Sequence, residues 1–111
     1  MKDIENRKNI THAEQVINES EMVISALKDF ESGSRGYVIT GDSVYTLHYR
    51  EAQKSAVDHL QKLHELTLAN KVQKAQVDSL KVVSIARINF AQQSVEIRNH
   101  RGELAANGFI R

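Results

Sequence analysis

The segment Glu31-Ser32-Gly33-Ser34-Arg35-Gly36-Tyr37-Val38-Ile39-Thr40-Gly41-Asp42 is the one part of this chain that departs from plain amphipathic helix. The apolar spacing through it stays helical, yet two glycines, Gly33 and Gly36, fall within one turn. A glycine inside a helix costs about 1 kcal/mol relative to alanine, so a pair of them calls for a physical reason. The absence of a Cβ lets a neighbouring backbone come close, and Arg35 and Tyr37 place long side chains with polar tips beside the gap. Gly41 suits the left-handed position that ends a helix, and Asp42 or Ser43 suits the N-cap of the next. The segment therefore reads as a helix, a tight corner and a second helix folding back.

Upstream of the corner a 3-4 repeat runs through Ile10, Ala13, Ile17, Ser20, Ile24 and Leu27. A second stripe at intervals of seven, Val16, Val23, Phe30 and Tyr37, lies next to it. Two adjacent stripes make a face wider than a two-stranded seam, which favours a bundle. This predicts a first helix from about residue 10 to 40, with Thr11 and Glu14 as a candidate capping box or the start further upstream. Downstream, Tyr45, Tyr49, Ala52, Ala56, His59, Leu63 and Leu66, with Leu60 on the flank, predict a helix over about 43–69, and Asn70 marks its end. A third helix is predicted over about 71–100. Val72, Val83, Ala86, Phe90 and Ile97 form one of its faces, and Val77, Leu80, Ile88, Ala91 and Val95 form another, with Ile85 outside both. Apolar surface over more than half the circumference implies burial on two sides. Val77, Ile85, Ile88 and Val95 are the candidate dimer face. The tail, 101–111, reads as a break at Gly102, a short helical turn and a stop at Gly108. No stretch alternates with period two long enough for a sheet. The fold class is all-α, one antiparallel long-helix bundle of the four-helix type, with its last helix truncated or supplied by a partner chain.

Composition narrows the function. The chain has 111 residues, no proline, no cysteine and five glycines, which favours long helices and excludes disulfide or thiolate chemistry. Fifteen basic residues against fourteen acidic ones give a net charge of +1, so bulk attraction to nucleic acid or anionic lipid is not expected. The start is charged, with none of the apolar core of a signal peptide, and no run approaches the roughly 18 apolar residues of a membrane span.

Catalytic constellations are missing. Of the five histidines, only His59 and His64 are near each other on one helix, and a five-residue separation turns them apart. No acidic residue precedes a histidine by three, so the di-iron bundle signature is absent. Gly33-Ser34-Arg35-Gly36 has neither nucleophile-elbow spacing nor a phosphate-loop lysine. The domain is read as non-enzymatic, with no metal and no cofactor. His59, on a core-facing stripe, is read as satisfied by a neighbouring helix. Arg35 has two readings: a structural tie to a carboxylate such as Glu31 one turn earlier, or a binder of an anionic group between helices. Tyr37, Tyr45 and Tyr49 bracket the corner as packing aromatics. The basic residues Arg98, Arg101 and Arg111, with His100, are read as a solvated end rather than a head-group site, because Glu96 and Glu103 are interspersed among them.

The run from Glu31 to Asp42, followed by Tyr45 and Tyr49, resembles the signature of the third class of CHASE domains, sensory extracellular modules associated with cyclases and histidine kinases. Similarity continues through Leu66-Thr67 and Asn70 to Ile97-Arg98 and Gly102. It departs at Ser43 and Lys71, where the family commonly has proline, and the family's last bundle helix would follow Gly108. The resemblance marks Glu31, Gly33, Arg35, Gly36, Tyr37, Thr40, Gly41, Asp42, Tyr45 and Tyr49 as the corner motif, structural with possible ligand contact. It implies the extracytoplasmic, periplasmic part of a bacterial inner-membrane receptor of the histidine kinase or cyclase type. It also implies flanking transmembrane helices, a homodimer, and an unknown small-molecule or protein stimulus. The alternative is a soluble helical adaptor or structural bundle that binds a partner helix.

Overall fold

A run of 39 residues without proline, whose only glycines fall near its end, gives the first helix, α1 (Lys2–Thr40). It is followed by α2 (Val44–Thr67) and α3 (Lys71–Ala106). The computed structural model describes the backbone of residues 2–106 and the side chains of Arg7, of residues 10–102 and of Leu104. The expected stop at Gly108 and the residues Phe109, Ile110 and Arg111 lie outside the described residues. No strand occurs among the described residues, and the chain is an all-α bundle.

Cross-helix pairs fix the directions. His12 to Gln73, Glu31 to Arg87 and Tyr37 to Asn99 advance together along both helices, so α1 and α3 are parallel. Glu19 to His59 and Gly33 to Tyr49 run in opposite senses, so α2 is antiparallel to α1. The rod measures 73 × 23 × 14 Å with a radius of gyration of 18.9 Å, well above the ~13 Å of a compact domain of this size.

The corner closes as the residue types demand. Gly41 has φ +69° and donates its N–H to the Tyr37 carbonyl at 2.7 Å, the bond of a left-handed helix cap. The Thr40 hydroxyl donates to the Gly36 carbonyl and accepts from the Asp42 N–H. Of the two candidate caps, Asp42 provides the bond: its Oδ1 accepts from the Val44 N–H at 3.0 Å, while Ser43 makes no capping bond. Replacing Gly41 by alanine should lower stability by about 1–2 kcal/mol, the penalty of a Cβ in left-handed backbone. The Arg98 guanidinium would also have to move off the added methyl. A thermal melt indistinguishable from the parent would contradict this. At the other end, Asn70 is the N-cap of α3 rather than merely the end of α2, since its Oδ1 accepts from the Gln73 N–H at 3.0 Å.

Of the two readings of where the first helix starts, the upstream one holds: α1 begins at Lys2 and has no cap at Thr11, because the charged opening contains no helix breaker to stop it. One boundary is corrected. The predicted break at Gly102 does not occur, because α3 runs on to Ala106. One glycine costs only about 1 kcal/mol, and the good helix formers Glu103, Leu104, Ala105 and Ala106 follow it.

The core is built from Val23, Ala26, Leu27 and Phe30 of α1, Ala52, Ala56, Leu60 and Leu63 of α2, and Val77, Ile88 and Ala91 of α3. Of the two α1 stripes, the one at intervals of seven faces inward. Ile10, Ile17 and Ile24 remain exposed.

The dimer face assigned from sequence is corrected as well. Val77 and Ile88 lie inside the single-chain core and Val95 is half-buried, leaving only Ile85 exposed. The other face of α3 points outward: Val72 is 69% exposed, Val83 54%, Phe90 74% and Ile97 60%. Small side chains decide between the two faces. Ser84 and Ala91 are both buried on the inward edge of α3, where their small size permits close packing, whereas Phe90 stays outside on the bulkier face.

Candidate functional site

The corner motif is assembled on the last two turns of α1 and the first two of α2. Here α1 and α2 come closest at Gly33: an added Cβ would sit 3.0 Å from the Tyr49 Cβ and 3.3 Å from its backbone nitrogen. At Gly36 the neighbour is not backbone but the Tyr45 ring, 2.6 Å from where a Cβ would be. The two glycines therefore serve different ends, one admitting a helix and the other a ring. Tyr49 lies edge-on to both Phe30 and Tyr37, at 6.1 Å from each ring centre. This aromatic row continues the core up to the corner, and the Tyr37 hydroxyl carries it across to α3 by donating to Asn99 Oδ1.

On the α3 side, polar contacts to α1 add to the share of the apolar core that α3 supplies. Glu31 pairs through Oε1 with Arg87, not with Arg35 as its i,i+4 spacing suggested. Among the described residues Arg35 therefore has no ion-pair partner, and it is exposed. Arg98, first read as part of a solvated end, lies against Gly41, and its Nε is buried without a partner. His100 and Arg101 are exposed, and Arg111 lies outside the described residues. His59 meets Glu19 of α1 through Nδ1, so the neighbouring helix does supply its partner.

Two concavities adjoin the motif. On the α1–α2 side an open trough of about 510 Å³ is lined by Asp29, Gly33, Tyr45, His48 and Glu51. It is broad and carries more acid than base. On the α1–α3 side a tighter cavity of about 160 Å³ lies among Glu31, Ser34, Arg35, Val38, Phe90 and Ala91. The structure thus gathers Glu31 and Arg35 on one side of α1 and the tyrosines with Gly33 and Gly36 on another. Arg87, Asn99, Ser34 and Phe90 were not picked out as site residues from sequence. Only Ser34 had a local signal, its place between the glycines; the others join the site through the packing of α3. Among the described residues no three potential metal ligands cluster, and no helix is long and apolar enough to cross a membrane.

No curated protein and no solved structure gives a match. The family model for the CHASE3 domain matches residues 6–111, nearly the whole chain and all of the corner motif. The domains it describes are extracellular sensory modules of receptors, not catalytic in themselves. With the motif at the helical corner and the match extending along all three helices, this chain belongs to the CHASE3 domain family.

Proposed function

We propose that the chain is the periplasmic sensor of a bacterial inner-membrane receptor of the histidine kinase or cyclase type, and that it works as a homodimer. The observation that supports this is the outward row on α3. Gln76, Ser79, Val83, Ala86, Phe90, Gln93 and Ile97 alternate at spacings of three and four. Four of the seven, Val83, Ala86, Phe90 and Ile97, are apolar, and they form a stripe of about 21 Å that a partner helix can cover. A second α3, parallel to the first in a two-fold dimer, would cover it.

Signalling then follows from the unequal interfaces within one chain. α1 and α2 pack most closely, locked at Gly33 and by the aromatic row. α3 is joined to α1 in part through polar ties, Glu31 to Arg87 and Tyr37 to Asn99, that can re-form after a small shift. A stimulus that favours one placement of α3 shifts the population of the dimer as a whole, and the movement passes to the output module across the membrane. The stimulus is a small molecule or a protein.

Sedimentation equilibrium tests the seam. The parent chain should self-associate, and Val83→Glu and Ile97→Glu should each weaken dimerisation at least about tenfold while leaving helix content intact, because both residues are exposed in the single chain. A parent that stays monomeric, or variants that dimerise like the parent, would remove the α3 seam. Stretches of about 20 apolar residues on both sides of this domain in the intact gene would support the receptor. Soluble flanks would favour the helical adaptor instead.

A further inference from the structure

Glu31 and Arg35 are one helical turn apart, at the spacing where opposite charges usually pair. They do not pair here, because Arg87 holds Glu31 through Oε1. The Glu31 Oε2 and the Arg35 guanidinium are both left without an ion-pair partner among the described residues, and both residues border the 160 Å³ cavity. Between them sits Ser34, 3% exposed, whose hydroxyl is buried and has no hydrogen-bond partner. Serine inside a helix ordinarily bonds back to the carbonyl four residues earlier, as Ser20 and Ser94 do here. Ser84 is unpaired in the same way, but of the two only Ser34 borders this cavity. The rest of the lining is Val38 from α1 and Phe90, Ala91 and Ser94 from α3, apolar except for the Ser94 hydroxyl, which is spent on the Phe90 carbonyl. Phe90 is the most exposed of the large apolar side chains.

We infer that this cavity binds a small aliphatic α-amino acid, its carboxylate held by Arg35, its ammonium by Glu31, and its side chain against Val38, Phe90 and Ala91. An α-amino acid carries its two charges on one carbon, which suits an acid and a base whose Cβ atoms are about 5–6 Å apart. Cavity volume limits the side chain. A void of about 150 Å³ holds a benzene molecule, so a space of about 160 Å³ accommodates a side chain of leucine's size. Arginine's planar fork favours the carboxylate over other anions of similar size. The bound molecule would bridge α1 and α3, the interface that carries the polar ties, and so stabilise one placement of α3. The signalling consequence rests on the receptor reading above; the binding itself does not.

The probe is L-leucine, titrated into the chain and followed by calorimetry and by backbone amide NMR. Saturable one-site binding is expected, with shifts concentrated at Ser34, Arg35 and Phe90. Arg35→Gln should weaken it at least about tenfold, and Arg35→Lys less, since charge is kept and the fork is lost. Isovalerate, which lacks the ammonium, and isoamylamine, which lacks the carboxylate, should each bind at least about tenfold more weakly than leucine. Arg35 is exposed, so its variants are expected to fold, and their melts verify this. No response to leucine at about 20 mM, well above a millimolar Kd, overturns the site. So does leucine affinity unchanged in Arg35→Gln. Loss of the site in a chain that still dimerises through α3 leaves the receptor reading standing. Arg35-dependent binding in a protein without flanking spans upholds the site and removes the receptor.

Discussion

Truncation of Phe30 to alanine should destabilise the chain by about 4 kcal/mol, the middle of the range for deleting a buried phenylalanine. Phe30 is 1% exposed and is the largest fully buried side chain in the structure. It lies where the α1 stripe meets the corner, in edge-on contact with Tyr49. Its removal takes away both the transfer free energy of the ring and the aromatic contact, and the backbone cannot close the space. The adjoining turn of α1 is already set tightly against α2 at Gly33, where an added Cβ would meet the Tyr49 Cβ at 3.0 Å. For a domain of this size the melting temperature should fall by about 15 °C or more. Urea titration followed by circular dichroism measures it. A loss below about 1 kcal/mol would mean that the aromatic row does not anchor the helices.

Substitution of leucine for Gly33 should cost about 3 kcal/mol, even though leucine is much the better helix former. At Gly33 the neighbouring atoms belong to the Cβ and backbone of Tyr49, so relief requires α1 and α2 to move apart rather than a side chain to swing away. Gly102→Leu is the matched control. The same change there meets nothing within 4 Å among the described residues, and it should stabilise the chain by a few tenths of a kcal/mol up to about 1 kcal/mol from helix propensity alone. The opposite signs of one substitution at two helical glycines separate close approach from propensity. Equal effects at both positions, measured by chemical denaturation, would show that Gly33 is not an approach point.

The same contrast bears on how the motif is read. Gly33 and Gly36 look alike in sequence, and close backbone approach was the expectation for the pair. Only Gly33 meets a backbone, while Gly36 makes room for the Tyr45 ring. The difference lies in where the Tyr45 and Tyr49 side chains fall across the corner, which depends on the relative rotation of α1 and α2. The Glu31 to Arg35 pairing was a sound local expectation at that spacing. It lost to Arg87, 56 residues away, because a tertiary contact offers a better-placed partner than the next turn does.

Much of the architecture follows from local chemistry in the sequence. A chain without proline whose apolar residues recur at three and four has to form long helices. Thr40, Gly41 and Asp42 supply the left-handed cap and the next N-cap through bonds to their own neighbours, so the corner could be located without knowing what packs around it. What local pattern left open is rotation about the helix axes. Both faces of α3 are apolar, and hydropathy alone cannot say which one turns inward. Packing chose the edge with Ser84 and Ala91, because small side chains allow a helix to approach its neighbours closely, and it left Val83, Phe90 and Ile97 facing out. That choice also set Phe90 beside Arg35 and Ser34, so the candidate site exists only once three helices are in place.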